Sequence, residues 1–431
     1  MLEIEKLNDD ILVSFLKRNF FDRWSGQGDE STFLELIVSD KCDHNCSYCY
    51  YRKYGHNFFN EESRKEENIL RNLDLVLNWL EKNNYRPRIE LFSGELFSTE
   101  TGFKALDRVI DYLRQGEYTI IPSNMSFIFD DEKIERILLL KKKAGKKDVG
   151  VLLSGSVDGK YMEENRPLLD GRKRDDEYYH KLFTFAAERG IGFHPMVYSK
   201  GIEKWKDNFL WFMESYDRYG LDKRLFYLLE VRNAEWNEKQ TLELGRFVEF
   251  LMYWAWDFCG KDADKFVNFI FRDSGFNILS SLFSGTNRGI SCSVQSSFAV
   301  TLGNLSFPAC HRTAYGSLLG GRFVVEKDEI VGVKAENVST YINIKSFDAV
   351  TQPYCETCYI KHLCVKGCLG SQFEATGNPF IPIPSVCRLE HVKTVSILRA
   401  LKRLMVLDKF LSHISRERRN NILLLEKEKM L

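Results

Sequence analysis

Six times between residues 32 and 260, a short apolar run is followed by a stretch whose apolar residues recur at helical spacing. The runs are "TFLELIVSD" at 32–40, "RIELFSG" at 88–94, and segments near 118–123, 148–157, 191–198 and 225–231. In "ENILRNLDLVLNWLEKN", Ile69, Leu70, Leu73, Val76, Leu77 and Leu80 form one helical stripe, and a second helix is expected near 99–116. Strands separated by a helix do not pair as hairpins, so the alternation calls for parallel strands joined by helical crossovers. The expected fold is α/β, a partial (β/α)6 TIM-like barrel with its chemistry on the loops that follow the strands. Periodicity alone leaves a flavodoxin-like sheet as the alternative.

From about residue 275 the texture changes to Gly-, Ser- and Cys-rich segments such as "SGTNRGISCSVQSS". A loop-rich domain held by metal is expected there. The implied organisation is an N-terminal extension (1–31), the barrel (32–260), a bridging region (261–284), the loop-rich domain (285–390) and a C-terminal helical segment (391–431). The basic amphipathic stretch at 390–414 is expected to dock its leucines on the barrel rather than on a membrane. Lys plus Arg equals Asp plus Glu at 61 each, so no basic field argues for nucleic acid or an anionic membrane. The start "MLEIEKLNDD" lacks signal-peptide layout, no long apolar run suggests a transmembrane helix, and the chain reads as cytoplasmic.

Eleven cysteines in a reducing compartment are not a disulfide framework. Three lie at 42–49, none between 50 and 258, and seven between 292 and 387, which reads as two metal-binding patches. Cys42, Cys46 and Cys49 in "SDKCDHNCSYCYY" leave a fourth place to fill; His44 or His56 would complete a zinc site.

This Cys-x3-Cys-x2-Cys spacing after a first strand resembles the motif of radical S-adenosylmethionine (SAM) enzymes. The resemblance implies that the three thiolates hold a 4Fe–4S cluster whose fourth iron stays open for the amino and carboxylate groups of SAM. Cleaving SAM needs inner-sphere contact, so the vacancy would be the working position. Later strand ends fit the same pattern. "LFSGELF" resembles the family's Gly-Gly-Glu motif with Ser93 for the first glycine; Gly94 would allow close backbone approach and Glu95 would accept from the methionine ammonium. "IIPSNMS" places Ser123 and Asn124 where an Asn often lies near the ribose. In "SGSVDGKYMEENRPL", Ser156 and Arg166 would address the SAM carboxylate and Asp158 the substrate.

The second patch, Cys355-x2-Cys358-x5-Cys364-x3-Cys368 with Cys387 downstream and Cys292 and Cys310 upstream, resembles the SPASM domain, which binds two auxiliary 4Fe–4S clusters. A two-residue insertion between Gly303 and Cys310 is its one departure. By that resemblance Cys355, Cys358, Cys364 and Cys387 would hold the distal cluster, and Cys292, Cys310 and Cys368 the nearer one. Cys259 is left over, either a buried thiol or the fourth ligand of the nearer cluster. A treble-clef zinc reading explains the second patch alone.

The pairing implies a peptide or protein maturase with SAM and three 4Fe–4S clusters. Its 5′-deoxyadenosyl radical would abstract hydrogen, and an auxiliary cluster would take the electron or bind substrate. Crosslinking of a ribosomal peptide, thioether or carbon–carbon, is the leading reaction; formylglycine formation in a sulfatase is the alternative, and a non-catalytic metal scaffold is the alternative of another class. The expected partners are a precursor peptide and an electron donor such as flavodoxin or ferredoxin. About 30 residues before the first strand are too few for a winged-helix leader domain, which leaves leader binding to the existing surface or a separate protein. Glu230 and Arg232, with Asn233 and Trp236 in "LLEVRNAEW", are candidates for the substrate side. His194 in "GIGFHPMVY" is a candidate ligand or base; Asn233 as a helix cap and His194 as a satisfied strand histidine are the structural alternatives.

Overall fold

The computed structural model describes residues 2–25, 31–54, 60–273, 276, 278–279, 293–348, 352–365 and 367–428. The first four expected strands form close to where the apolar runs lie: β1 (Phe33–Ser39), β2 (Arg88–Ser93), β3 (Tyr118–Ser123) and β4 (Gly150–Gly155). The expected run at 191–198 is split into β5 (Gly192–Phe193) and β6 (Met196–Val197), because Pro195 has no N–H to donate to a ladder. The expected strand at 225–231 is reduced to β7 (Leu229–Glu230). The region beyond 275 also carries regular structure that its composition concealed: β8 (Ser297–Thr301), β9 (Gly321–Glu326) and β10 (Glu329–Ala335). Helices span Glu66–Lys82 and Glu100–Tyr112 as the periodicity requires, the second capped by Thr99, whose side chain accepts from the Gly102 N–H.

Two compact units form, and they interleave along the chain: Met1–Gly155, Leu168–Arg172 and Ser293–Ser346 make the first, and Ser156–Pro167, Lys173–Cys292 and Phe347–Leu431 the second. In the first unit β4-β3-β2-β1-β8 lie side by side in one sheet, all parallel. β1 is buried along its whole length, as befits a central strand with neighbours on both edges. Its second neighbour, β8, places the segment after 293 in the core of this unit, Glu35 pairing with Glu90 on one side and Ala299 on the other. The N-terminal helix, Leu2–Leu16, packs here too: Phe15 meets Tyr341 edge-on and the Asp9 carboxylate accepts from the Ala335 N–H of β10.

In the second unit β6 and β7 pair in parallel, Val197 opposite Glu230. The helix Glu238–Phe258 begins at a capping box between Asn237 and Gln240, so Asn237, not Asn233, is its cap. It packs against the helix Pro384–Arg403 at Gly245, where an added Cβ would stand 2.6 Å from Val392, and this close approach buries Leu389, Ile397, Leu398 and Leu401. The C-terminal leucines are thus seated on protein. The segment breaks at Met405 (φ 57°) before the helices Leu407–Leu411 and Arg416–Lys427. Among the described residues no helix is long and apolar enough to cross a membrane.

Candidate active site and cysteine cavity

The three strand-end motifs of the first unit meet. Glu95, following β2, accepts at Oε1 from the Ser123 hydroxyl (3.0 Å) and the Phe97 N–H (3.1 Å), and at Oε2 from the Asn124 N–H (2.6 Å). Asn124, following β3, donates from Nδ2 to Asp43 Oδ1 (2.7 Å) in the cysteine loop after β1 and lies 3.8 Å from the Cys42 sulfur. Asp43 also accepts from the Ser126 hydroxyl and pairs with His44, whose ring is fully buried. Burial opposes the charge on Asp43, but hydrogen bonds from His44, Ser126 and Asn124 hold its carboxyl well below the usual range. Burial pushes the Cys42 thiol up. The Cys42, Asp43 and His44 donor atoms lie within 4.8 Å of one another, so His44 is engaged inside the loop. Sequence reasoning missed Asp43 and Ser126 because their role arises only when β3 ends beside the loop.

Gly94 is required by the loop itself. Its N–H donates to the Ser39 carbonyl and the Glu95 N–H to the Lys41 carbonyl, both 2.8 Å, while Ser93 Oγ donates to Ser39 O at 3.1 Å. A Cβ at Gly94 would stand 2.3 Å from the Lys41 oxygen, a backbone atom that cannot rotate away. Gly94→Ala is expected to cost about 1–3 kcal/mol by overpacking and to displace the start of the cysteine loop. Chemical denaturation of the variant reads the first effect; an unchanged midpoint would contradict it.

The loop turns at Cys46–Cys49, where the Cys49 N–H donates to the Cys46 carbonyl, and runs into the short helix Tyr50–Tyr54. Tyr50, next to Cys49, lies 6.1 Å between ring centroids from His311, next to Cys310, and Arg312 sits over the Tyr50 ring at 4.8 Å. His311 stacks on Phe92 of β2 and donates its N–H to buried Glu35 of β1. The first cysteine loop and Cys310 are therefore neighbours in one unit. Cys292 lies outside the described residues, as does His56.

In the second unit Ser156 Oγ and His194 Nε2 are 2.5 Å apart, and burial, reinforced by Arg166, pushes the His194 imidazole down to about 3. Arg166 is paired with Asp158 (3.0 Å), which also accepts from the Met196 N–H. Asp158, expected toward substrate, is thus buried and braces β6. Glu230 and Arg232, expected at the barrel mouth, are buried as well. Glu230 Oε1 meets Arg232 Nε at 2.9 Å and Lys393 Nζ at 2.7 Å, and Lys393 reaches Glu390 at 3.0 Å. Burial resists the Glu230 charge, but Arg232 and Lys393 hold its carboxyl down to about 2. Trp236 donates to the Val231 carbonyl and Asn233 accepts from the Glu235 N–H, both local. Lys393 and Glu390 are 160 residues or so downstream in the chain, so no local signal exposed this network.

Cys355, Cys358, Cys364, Cys368 and Cys387 line one cavity, together with Glu390, His391 and apolar side chains including Ile360, Phe380 and Val386. All ten described cysteines are thiols. Five sulfurs around one largely apolar cavity are enough for the four thiolates an iron–sulfur cluster takes. Cys259 is not part of that lining; it ends the helix Glu238–Phe258, its thiol pushed up to about 11 by burial.

No protein-family model matches the chain, and no curated protein does. Solved structures do. Native anSMEcpe with bound AdoMet and the Kp18Cys peptide is 16% identical over 87% of this chain and 99% of that one, with a TM-score of 0.55. A histidine-tagged anSMEcpe with bound AdoMet is 15% identical over 90% and 98%, at 0.57. Streptococcus suis SuiB bound to precursor peptide SuiA is 14% identical over 87% and 79%, at 0.50. These likenesses, with the parallel sheet, establish the architecture: the chain has the α/β fold of anSMEcpe and SuiB, structures solved with AdoMet or a peptide bound.

Proposed function

We propose that this chain is a radical SAM maturase acting on a ribosomally made peptide or protein, with intramolecular crosslinking as its leading reaction. One observation carries the reading: residues argued from three separate motifs, Cys42, Glu95 and Asn124, stand within one hydrogen-bonded cluster. Peptide-bound relatives of the fold, anSMEcpe with Kp18Cys and SuiB with SuiA, support a peptide substrate. The reading assigns 32–260 to the barrel and 285–390 to the auxiliary-cluster domain.

Held by Cys42, Cys46 and Cys49, a 4Fe–4S cluster with one open iron would supply the reductive cleavage of SAM and hence hydrogen abstraction. The protein's part is placement. Gly94 and Ser93 fix where the loop leaves β1, and Asn124 ties Asp43 to the end of β3. Glu95 spends three of its roughly four acceptor positions on Ser123, Phe97 and Asn124, leaving one for an ammonium. Burial raises the Glu95 carboxyl to about 7. Only the ionised form suits a cationic ligand, so SAM affinity should rise with pH, by about tenfold between pH 6 and 8. Calorimetric titration of the reconstituted protein at both values measures this; equal affinities would remove Glu95 from the ammonium. Tyr50, His311 and Arg312 bridge the first loop and Cys310, which suits passage of an electron from the substrate side toward the nearer auxiliary cluster. A donor such as flavodoxin or ferredoxin would reduce the SAM site.

A second reading, formylglycine formation in a sulfatase, is supported by the span of the likeness: 99% of anSMEcpe, an anaerobic sulfatase maturase, against 79% of SuiB. A precursor-peptide gene or a sulfatase gene beside this one separates the two. The deciding experiment is anaerobic reconstitution with iron and sulfide. About 12 irons per chain and dithionite-dependent 5′-deoxyadenosine are expected, four irons for each cluster. Stoichiometric zinc with no SAM cleavage would end the proposal in favour of a scaffold.

A further inference from the structure

His391 stands one helical turn beyond Cys387 on the helix Pro384–Arg403, so both side chains leave the same face toward the cysteine cavity. Its Nε2 lies 3.3 Å from the sulfur of Cys358, a residue brought there from 33 positions earlier. The orientation is not left to chance. Glu390, the preceding residue, lines the same cavity and is fully buried, tied to Lys393 (3.0 Å) and to Arg232 (3.4 Å). Lys393 and Arg232 share Glu230 on β7, so two anions and two cations lock the rotation of this helix against the strand. A buried ion network of this kind adds little net stability against apolar residues of equal volume, but it does specify register. What that register presents to the cavity is the imidazole.

We propose that His391 is a hydrogen-bond donor to the Cys358 thiolate of the auxiliary cluster and thereby sets that cluster's reduction potential; the inference rests on the cluster reading above. A cluster-bound thiolate accepts but cannot donate, so the imidazole must present its Nε2–H to the sulfur. Hydrogen bonds to cluster sulfur stabilise the more negative, reduced state, and they matter most where much of the wall, here Ile360, Phe380 and Val386, is apolar. His391 acts as donor rather than ligand, because Cys355, Cys358, Cys364 and Cys387, all in this lining, already supply the four thiolates such a cluster takes. The residue would make this auxiliary cluster easier to reduce, which suits an acceptor for the electron left by the substrate radical.

The test is EPR-monitored redox titration of the full-length reconstituted protein as wild type, His391→Gln and His391→Leu. Gln can reproduce the donor; Leu cannot. Equal iron in all three is expected, with one auxiliary signal in His391→Leu moved to lower potential by about tenfold in its reduction equilibrium, about 59 mV for one electron, and His391→Gln in between. Unchanged potentials in His391→Leu with iron intact would overturn the donor role. A second measurement uses pulsed EPR of protein grown with 15N-histidine: wild type should show a weakly coupled nitrogen at a reduced auxiliary cluster that is missing in His391→Leu. Strong coupling, meaning direct ligation, or none at all would each overturn the proposal. Failure of the parent reading looks different, since wild type itself would then take up no cluster iron.

Discussion

Replacing Cys46 by Ala should lower dithionite-dependent release of 5′-deoxyadenosine by more than about 100-fold, whereas Cys358→Ala should keep a measurable part of it and lose the modified peptide. The first effect exceeds the 10–100-fold typical of losing an outer-shell partner, because on the proposed reading a ligand of the cluster itself goes. Cys46 lies in the loop that Asn124, Asp43 and the Ser39–Gly94 hydrogen bond hold in place, on the unit that carries the strand-end cluster. Cys358 lies in the other compact unit, in the cavity with Cys355, Cys364, Cys368 and Cys387. Removing its thiol injures a site where no SAM contact is expected. SAM cleavage and peptide mass, measured on variants matched for circular dichroism with iron content recorded for each, read the two effects separately. Equal loss of cleavage in both variants would refute the division of roles.

The second large effect is on stability. Lys393→Met should cost about 3–5 kcal/mol and lower the unfolding midpoint by roughly 5 °C or more, since it strands Glu230 and Glu390 in the interior with Arg232 alone. Both carboxylates are fully buried, and each already has one oxygen, Oε2, without a hydrogen-bond partner among the described residues. The double variant Lys393→Met, Glu230→Leu should recover a large part of the loss, because an uncharged pair needs no compensation. An exposed pair such as Lys82–Glu329 is the control, and its removal should change stability by less than about 1 kcal/mol. The pH dependence has a definite sign. The folded-state carboxyl of Glu230 is held to about 2 against about 4.3 in the unfolded chain, so its contribution is complete above the unfolded value. Stability is lost as pH falls from about 4 toward 2. Thermal melts of wild type should show that loss and the Lys393→Met variant much less of it.

How legible each part of this chain is follows from where its signal resides. β1 to β4 and the helices after β1 and β2 are legible because apolar runs and a helical stripe are local patterns. β8 is not, since "SFAVT" is five residues inside a Ser- and Gly-rich stretch and becomes a strand only by pairing with the free edge of β1. The split of the fifth run is present in the sequence as Pro195, a signal that the apolar run around it masks. Glu230 and Arg232 read as substrate-facing because charged residues at a strand exit ordinarily face solvent or ligand. Their partners, Glu390 and Lys393, come from a helix more than 150 residues away.

Composition and spacing alone determined the parallel α/β class, the three-cysteine loop and the grouping of the later cysteines, because helical period, strand period and metal-ligand spacing are all short-range properties. Only the tertiary structure decided that Glu95 and Asn124 close on the cysteine loop, that Asp158 and Glu230 spend their charge on internal cations, and that His391 meets Cys358. The reason is physical: a charge or a donor takes its role from what desolvates and faces it, and in this fold those neighbours come from distant segments of the chain.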